Sequence, residues 1–354
     1  MNQIPDQYLK LEEDQLKQRI SAVKSRLGEK LIVLGHHYQR DEVLQFADFR
    51  GDSLELAKKA AESKQAQFIV FCGVHFMAEA ADMLSTANQT VQLPDITAGC
   101  PLADFAAIET VTDAWAEITS VCGNDSITPI TYINSSAELK AFCGKNHGIT
   151  CTSSNAQKVL KWAFNRTDKV FFFPDQHLGT NTSNTLGISP QQRIVWDPAA
   201  ALGGNTADAI ANAKVIVWKG HCHVHTLFNR GHISQFRQKY PDGKVVVHPE
   251  CTEEVVNLSD ANGSTSYIIR YTENAAAGET IAIGTEINLV NRLNQTQPDK
   301  KLLPLARSLC PNMFKINLHN LCWTLENLGK INVVSVPETI KTDALIALER
   351  MLKI

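Results

Sequence analysis

Three cysteines in this sequence lie in loops that follow short, mostly apolar runs, and they are the side chains most suited to binding a metal. A short run made only of apolar residues, such as 215–218, indicates a strand buried on both faces. Functional groups in open α/β sheets gather where such strands end. The three cysteines and their preceding runs are Cys100 after 91–93, Cys222 after 215–218, and Cys310 after 302–305. We therefore expect these three thiols to bind one common group.

The remaining cysteines are weaker candidates for metal binding. The chain has nine cysteines, an odd number, and no two are spaced Cys-x-x-Cys. This pattern disfavours disulfides, zinc ribbons, thioredoxin motifs and ferredoxin-type runs. A buried free cysteine usually acts as a small apolar residue. We assign that structural role to Cys72, Cys122, Cys143 and Cys322, and leave Cys151 and Cys251, at strand ends, undecided.

Three thiolates suit a [4Fe–4S] cluster in which one iron has no protein ligand. Such an iron acts as a Lewis acid toward substrate oxygens, which suits a dehydration. Zinc bound by His221, His223 and His225 beside Cys222 is an alternative. The alternation by two residues points neighbouring side chains apart, and no carboxylate or second cysteine lies nearby in sequence, so zinc is disfavoured.

Small hydroxyl residues recur in three short motifs, one in each third of the chain. The motifs are Gly51-Asp52-Ser53, Thr152-Ser153-Ser154-Asn155 and Gly263-Ser264-Thr265-Ser266. Each alone is more readily explained as a helix N-cap. The same arrangement aims backbone N–H groups at an anion. Their repetition favours joint binding of a substrate with carboxylate and phosphate groups.

Polar residues also end the first strand of each third. His36 and Tyr38 follow the first run, Tyr132 and Asn134 follow the second, and His248 and Glu250 follow the third. A single histidine at a strand end is as often structural as functional. Three matched groups favour an active site, in which His and Glu exchange protons and Tyr donates or orients.

The elements that must hold these residues form three successive α/β units with parallel strands. We predict strands over 30–35, 67–71 and 91–93, then 127–133, 149–150, 169–173 and 215–218, then 244–247, 266–269, 280–283 and 302–305. Predicted helices include 8–27, 102–120 and 341–353. Residues 190–214 form either an added strand or an appendage, and their role is left open.

Composition limits the class of protein. The 354 residues have a net charge of −3, with 44% hydrophobic and 20% charged residues, as in an ordinary soluble globular protein. There is no basic stripe, so nucleic acid is not an expected partner. No apolar run reaches the length of about 18 residues needed to span a membrane. The first residues lack a basic and an apolar signal region, so we expect a cytoplasmic protein.

With these residues identified, the chain resembles the quinolinate synthase family, iron–sulfur enzymes of bacterial NAD biosynthesis. The resemblance runs from about residue 30 to residue 320. The motifs that carry it share their order with the family: Gly35-His36-His37-Tyr38-Gln39, Gly51-Asp52-Ser53, Gly73-Val74-His75-Phe76-Met77-Ala78-Glu79, Gly99-Cys100-Pro101-Leu102-Ala103, Tyr132-Ile133-Asn134-Ser135, Cys151-Thr152-Ser153-Ser154-Asn155-Ala156, Pro174-Asp175-Gln176-His177-Leu178-Gly179, Gly220-His221-Cys222-His223-Val224-His225, His248-Pro249-Glu250-Cys251, Gly263-Ser264-Thr265, Gly284-Thr285-Glu286 and Cys310-Pro311-Asn312-Met313.

The resemblance implies three pseudo-symmetric α/β domains with short parallel sheets around one central [4Fe–4S] cluster bound by Cys100, Cys222 and Cys310. We expect domains over 1–105, 106–228 and 229–320, with the C-terminal segment 321–354 packed on the first. Only Cys310 stands in the third cysteine loop, so the redox switch of members with an added Cys-x-x-Cys pair there is not expected.

The resemblance also implies the reaction: condensation of iminoaspartate with dihydroxyacetone phosphate to quinolinate, with loss of phosphate and two waters. It assigns acid/base roles to Tyr38 and Glu250, with His248 beside them. Substrate binding falls to His36, Ser53, Tyr132, Asn134, Ser153, His248 and Thr265. An L-aspartate oxidase that supplies iminoaspartate is an implied partner. The rival hypotheses are another cluster-dependent hydro-lyase and a non-enzymatic iron–sulfur sensor.

Overall fold

The computed structural model describes residues 4–354, in which short strands alternate with helices. The strands, in chain order, are β1 (Leu31–His36), β2 (Phe49–Gly51), β3 (Phe68–Cys72), β4 (Thr90–Gln92), β5 (Ile127–Tyr132), β6 (Ile149–Cys151), β7 (Lys169–Phe173), β8 (Arg193–Trp196), β9 (Val215–Trp218), β10 (Lys244–Val247), β11 (Ala261–Asn262), β12 (Thr280–Gly284), β13 (Lys301–Pro304) and β14 (Val333–Val334).

The helices connect these strands and are mostly three turns or shorter. In chain order they are α1 (Asp6–Leu9), α2 (Glu13–Leu27), α3 (Asp41–Leu44), α4 (Ser53–Glu62), α5 (His75–Leu84), α6 (Pro101–Asp104), α7 (Ile108–Cys122), α8 (Ala137–Lys145), α9 (Ala156–Phe164), α10 (Gln176–Thr185), α11 (Ala207–Asn212), α12 (His223–Thr226), α13 (Arg230–Lys239), α14 (Glu253–Leu258), α15 (Thr265–Glu273), α16 (Ile287–Thr296), α17 (Pro311–Phe314), α18 (Leu318–Glu326) and α19 (Glu338–Leu352). None of those within residues 4–354 has the length and apolar character required to cross a bilayer.

The strands form three sheets, and every pairing is parallel except that of β14 with β4. Sheet A has the order β14-β4-β3-β1-β2, sheet B the order β6-β5-β7-β9-β8, and sheet C the order β11-β10-β12-β13. The central strands β5 and β9 are buried along their whole length, as expected for parallel strands covered on both faces. The predicted α/β class with short parallel sheets is confirmed.

The chain divides into two compact units. The first unit contains the residues up to Cys100 together with Leu309–Pro337, and the second contains Pro101–Ser308 together with Glu338–Ile354. Sheet A belongs to the first unit, and sheets B and C belong to the second. The division into three domains at residues 105 and 228 stays a prediction.

The segment 321–354, expected on the first domain, is shared between the two units. Its last helix, α19, packs on α8 in the second unit. Ala344, Ala347 and Leu348 are fully buried there, and Ala347 joins the apolar cluster that includes Leu139. The Asn155 side chain, at the start of α9, donates to the carbonyl oxygen of Met351 at 3.4 Å. This apolar face explains why α19 packs on the second unit.

The strand predicted over 266–269 is wrong, because those residues lie inside α15. The Ser264 hydroxyl accepts a hydrogen bond from the Tyr267 N–H at 3.3 Å and caps the helix. Ile268 is fully buried on the inner face. An N-cap with a suitable buried face outweighs the strand preference of β-branched and aromatic residues. The strand at this place in sheet C is β11, just before the cap.

The single helix predicted over 102–120 is interrupted, because α6 ends at Asp104 and α7 begins at Ile108. Ala107 between them is extended, with φ −89° and ψ 151°. The carbonyl of Phe105 accepts a hydrogen bond from the Trp218 indole N–H at 2.8 Å instead of bonding along a helix. A side chain more than a hundred residues away therefore sets this break.

Residues 190–214, left open by the sequence, add an edge strand to sheet B. β8 pairs with β9 in parallel register, Arg193 opposite Val215 and Trp196 opposite Trp218. The Arg193 guanidinium donates to the Thr180 carbonyl at 2.8 Å and so ties this strand to α10. The segment is part of the sheet and also supports a neighbouring helix.

The contact of α8 with α19 yields a stability prediction. A methyl group on Gly144, inside α8, would overlap the backbone carbonyl of Asp343 in α19. Gly→Ala in a helix normally stabilises by about 1 kcal/mol. Here we expect Gly144→Ala to lower the free energy of unfolding by about 1–3 kcal/mol, because the helices must separate. Urea denaturation followed by circular dichroism measures this change.

The matched control is Gly231→Ala in α13. The atom nearest to the added methyl there is the Asn229 side-chain oxygen at 3.0 Å, with no backbone in the way. This variant should lower the free energy of unfolding clearly less than Gly144→Ala, because only the side chain of Asn229, the N-cap of α13, has to shift. Equal effects of the two substitutions would contradict the described packing of α8 on α19.

Candidate active site

The carboxyl group of Glu250 lies in a buried cluster of polar side chains at the carboxyl ends of sheets B and C. Glu250 follows β10 and is 2% exposed. The hydroxyl of Tyr132, the last residue of β5, donates to Glu250 Oε1 at 2.5 Å. His248 Nδ1 lies 3.7 Å from the same oxygen, and His225 Nε2 lies 4.0 Å from Oε2. Strand ends that are far apart in sequence thus bring four titratable groups together.

Burial shifts the pKa values of the titratable groups in this cluster. Desolvation raises the pKa of Glu250 to about 7, although hydrogen bonds from Tyr132 and Cys222 pull it down. Burial, with His248 and His223 nearby, lowers the pKa of His225 well below its usual value. The His225 and His248 rings stack with centroids 4.2 Å apart. A carboxyl that titrates near neutrality and an uncharged imidazole form a pair suited to proton transfer.

The loop after β9 presents Cys222 to this cluster. A side chain at Gly220 would overlap the carbonyl of Pro174, so only glycine allows the loop to pass so close. The Gln176 N–H donates to the Gly220 carbonyl at 2.9 Å and holds this loop, and the Asp175 carboxyl accepts the Leu178 N–H at 2.6 Å as the N-cap of α10. Asp175 is fully buried, and burial together with Glu250 raises its pKa well above the ordinary value.

Cys222, His225 and Glu250 present ligand atoms within 4.8 Å of one another. Within residues 4–354, this is the group of His, Cys and acidic side chains close enough to hold a metal ion. The zinc alternative from the sequence used His221, His223 and His225; His225 belongs to this group, whereas His221 and His223 do not. A metal-binding centre at Cys222 is compatible with the donors present, a thiol, an imidazole and a carboxylate.

The three cysteines singled out in sequence share one local geometry. Cys100 precedes α6, Cys222 is the N-cap of α12, and Cys310 is the N-cap of α17; each of these helices is four residues long. All three thiols are partly exposed. A sulfur at the start of a helix, within reach of solvent, suits a thiolate ligand. Each of the three positions therefore suits a thiolate ligand.

Most of the other cysteines differ from these three, because the protein buries them. Desolvation raises the pKa of Cys72 to about 12 and that of Cys322 to about 11, and raises the pKa of three more thiols. Those three are Cys143, Cys151 and Cys251. Because the thiolate is the metal ligand, protonated buried thiols are poor ligands. Cys122, in α7, is partly exposed and lies within a helix.

The first unit holds the predicted residues at the ends of sheet A. His36 ends β1 and pairs with Gly51 of β2, so Ser53 begins α4 beside it. The His36 and Tyr38 rings meet edge to face, with centroids 4.7 Å apart. These three residues thus form one group.

The cysteine loops of the first unit are also adjacent. Lys315, just after α17, donates to the carbonyl of Thr97 at 2.6 Å and joins the Cys310 loop to the Cys100 loop.

The other predicted residues lie in the second unit. Asn134 follows β5, and its side-chain oxygen is buried without a hydrogen-bond partner. Ser153 precedes α9 and lines a cavity of about 270 Å³ together with Ser264 and Arg270. Thr265 is the buried first residue of α15. All three motifs of small hydroxyl residues therefore do precede helices.

Two residues of the cluster, His225 and Asp175, are not among the predicted acid/base or substrate-binding residues, although His225 was a candidate zinc ligand. The signal for His225 is its position three residues after Cys222, which places it on the same face of α12. Asp175 carried the weaker signal of an N-cap before a helix. The contact of either with Glu250 depends on residues distant in sequence.

Comparison with known proteins gives a consistent result. The model of the family described as quinolinate synthetase A protein matches residues 18–353. A protein named quinolinate synthase from Rhodopirellula baltica is 49% identical over 98% of this chain and 93% of its own. Proteins of the same name from Bacillus subtilis and Bacillus velezensis are 49% and 50% identical, each over 99% of this chain and 96% of their own.

The buried carboxyl predicts a pH effect on stability. The pKa of Glu250 rises from 4.5 to about 7 on folding, so the folded state holds this proton more tightly. Stability from this group is therefore full below about pH 4.5 and falls as the pH rises toward 7. Glu250→Gln should make the decrease in urea midpoint between pH 5 and 7.5 smaller than in the wild type. Asp175, whose pKa is also raised, leaves a residual slope of the same sign.

The control is Glu254→Gln, which changes an exposed glutamate four residues further along the chain. Its urea midpoint should follow the wild-type pH dependence. A slope that is unchanged in Glu250→Gln would show that the Glu250 carboxyl is not desolvated as described.

Proposed function

The chain belongs to the quinolinate synthetase A family, and we propose from this premise that it condenses iminoaspartate with dihydroxyacetone phosphate. The products are quinolinate, phosphate and two waters, and the reaction serves NAD biosynthesis. The observation that carries the proposal is the buried contact of Tyr132 with Glu250, with His225, His248 and Cys222 around it. Successive dehydrations and tautomerisations need groups that both give and take protons, as this cluster does.

One [4Fe–4S] cluster is proposed to be held by Cys100, Cys222 and Cys310. When bound, it supplies a Lewis-acidic iron for the substrate oxygens. The local geometry shared by the three cysteines, each before a four-residue helix, supports this ligand set.

Glu250 is proposed as the group that takes and returns protons during the condensation. Its raised pKa near 7 means that both of its protonation states are populated at neutral pH. The Tyr132 hydroxyl orients the carboxyl through its 2.5 Å hydrogen bond. His225, uncharged through burial, acts as a hydrogen-bond partner without adding a positive charge. Tyr38 is proposed as a second proton donor, next to His36.

The substrate carboxylates and phosphate are proposed to bind at the helix starts and strand ends. Ser53, Ser153 and Thr265 stand at or just before the first turns of α4, α9 and α15, where backbone N–H groups favour anions. His36, Tyr132, Asn134 and His248 complete the set. The burial of His248, at 2% exposed, and of Tyr132, at 5%, supports a site from which water is largely excluded.

The chemistry of the substrate indicates which partner enzyme the reaction needs. Iminoaspartate hydrolyses readily, so an L-aspartate oxidase is proposed as the supplier. We propose a cytoplasmic location, with no nucleic acid and no membrane as partner.

The proposed function predicts a product that can be measured directly. Purified protein reconstituted anaerobically with iron and sulfide should convert iminoaspartate and dihydroxyacetone phosphate into quinolinate, detected by chromatography. About four irons per chain are expected, from the composition of one cluster. Bound iron without quinolinate would refute the proposed reaction and favour a different hydro-lyase.

The proposed ligand set is tested by substitution. Cys222→Ala should lose both the absorbance near ~400 nm that is typical of iron–sulfur clusters and quinolinate formation, because a thiolate ligand is missing. The control is Cys122→Ala, which removes a thiol of similar exposure in α7 and should retain both. Full absorbance and turnover in Cys222→Ala would contradict the assignment of Cys222 as a ligand.

A further inference from the structure

The backbone on both sides of Glu250 is held by a side chain from another element. Asn181, in the middle of α10, is 3% exposed. Its amide nitrogen donates to the carbonyl oxygens of Pro249 and Cys251, each at 2.8 Å. These are the residues immediately before and after Glu250. One amide therefore fixes the two carbonyls that flank the residue at the centre of the site.

The position of the Glu250 carboxyl depends on this loop. Its partners Tyr132 and His225 come from different elements, the end of β5 and the helix α12. A loop of irregular backbone must therefore place the carboxyl 2.5 Å from one partner and 4.0 Å from the other. A rotation of either flanking peptide would move the whole side chain. Misplacement by about 1 Å can reduce a catalysed rate about a hundredfold.

The helix that carries Asn181 is itself firmly held. At its start, Asp175 caps α10, and the Gln176 N–H donates to the carbonyl of Gly220 in the Cys222 loop at 2.9 Å. In the turn that contains Asn181, Arg193 donates to the carbonyl of Thr180. One rigid helix thus connects to the Cys222 loop at its first end and to the Glu250 loop at its middle. Groups supported in this way by secondary structure are positioned more precisely than groups on free loops.

We propose that Asn181 is a positioning residue, which sets the placement of Glu250 for the reaction by holding the Pro249 and Cys251 carbonyls. This inference rests on the proposed function for the identity of the reaction. Asn181 lines the cavity of Ser153 and Ser264, but its amide donates to the backbone and not to the side chains of Tyr132, His225 or Glu250, so its positioning role acts through the backbone. Substitution of Asn181 should therefore lower kcat more than it changes the KM for the substrates.

The test compares alanine variants one turn apart on α10. Asn181→Ala, reconstituted anaerobically with iron and sulfide, should show a kcat lowered about 10–100-fold, as for other outer-shell supports. Its KM for both substrates should stay within about twofold of the wild type. Bound iron per chain and the ~400 nm absorbance should be unchanged, since the cysteine loops keep their contacts.

The matched control is Asn184→Ala. The Asn184 amide donates to Glu253 Oε1 at 2.6 Å, in the same loop region but not beside Glu250. We expect its melting temperature to fall about as much as that of Asn181→Ala, and its kcat to stay within about twofold of the wild type. If kcat falls equally in both variants, Asn181 has only a structural role and the proposal is overturned.

A third variant covers the case in which Asn181→Ala does not fold. Asn181→Asp keeps the shape of the side chain and replaces the donor nitrogen by an acceptor oxygen, so it should lower kcat at least as much as alanine. Wild-type kcat in this variant would overturn the proposal. If the wild-type chain itself forms no quinolinate, the proposed function fails and the positioning role fails with it; an active wild type with unaffected variants rejects the positioning role alone.

Discussion

The burial of a carboxyl group is the constraint on which the second unit depends. A buried carboxylate without partners costs several kcal/mol, so the protein must surround Glu250 with donors or keep it protonated. It does both: Tyr132 donates to the carboxyl, and desolvation raises its pKa toward neutrality. The Cys222 thiol also hydrogen-bonds to this carboxyl, whereas burial and the nearby Glu250 raise the pKa of the second carboxyl, Asp175, so that it too favours the protonated form. Proton exchange near neutral pH is the chemical result.

Parallel sheets explain how residues so far apart in sequence meet. In parallel sheets all carboxyl ends lie on one edge, and the loops there can carry function without disturbing the strands. β5, β9 and β10 are buried along nearly their whole length, and each delivers one polar residue or loop just past its end. Helix α10 then links two of these loops through Gln176 and Asn181. The apolar strands stabilise the fold, and the polar contacts among the loops set the positions of the site residues.

The sequence was sufficient to predict where strands end and which residues follow them. It was insufficient to predict the side-chain contacts that connect those strand ends. Buried runs such as 215–218 and the residues just after them follow from local pattern, and so do the caps before α4 and α9. Residues 265–273 form a helix and not the predicted strand, because the Ser264 cap outweighs the strand preference of Tyr267–Ile269. His225, Asp175 and Asn181 act through partners about 25 to 75 residues away, and no local periodicity records such contacts. The site residues predicted in the first unit remain predictions.

The docking of α19 on α8 has a consequence for the order in which the protein matures on the ribosome. Each unit is built from two separated stretches of chain, so neither is complete when its first stretch emerges. The second unit cannot be completed until α19 has been synthesised. The Met351 carbonyl of this helix accepts a hydrogen bond from the Asn155 amide, next to the turn that carries Ser153. By then the stretch 309–337, which completes the first unit, has already been synthesised. Vectorial synthesis thus delays closure of the second core until nearly all of this sequence has been translated, and the nascent chain must keep its exposed strands from aggregating until then.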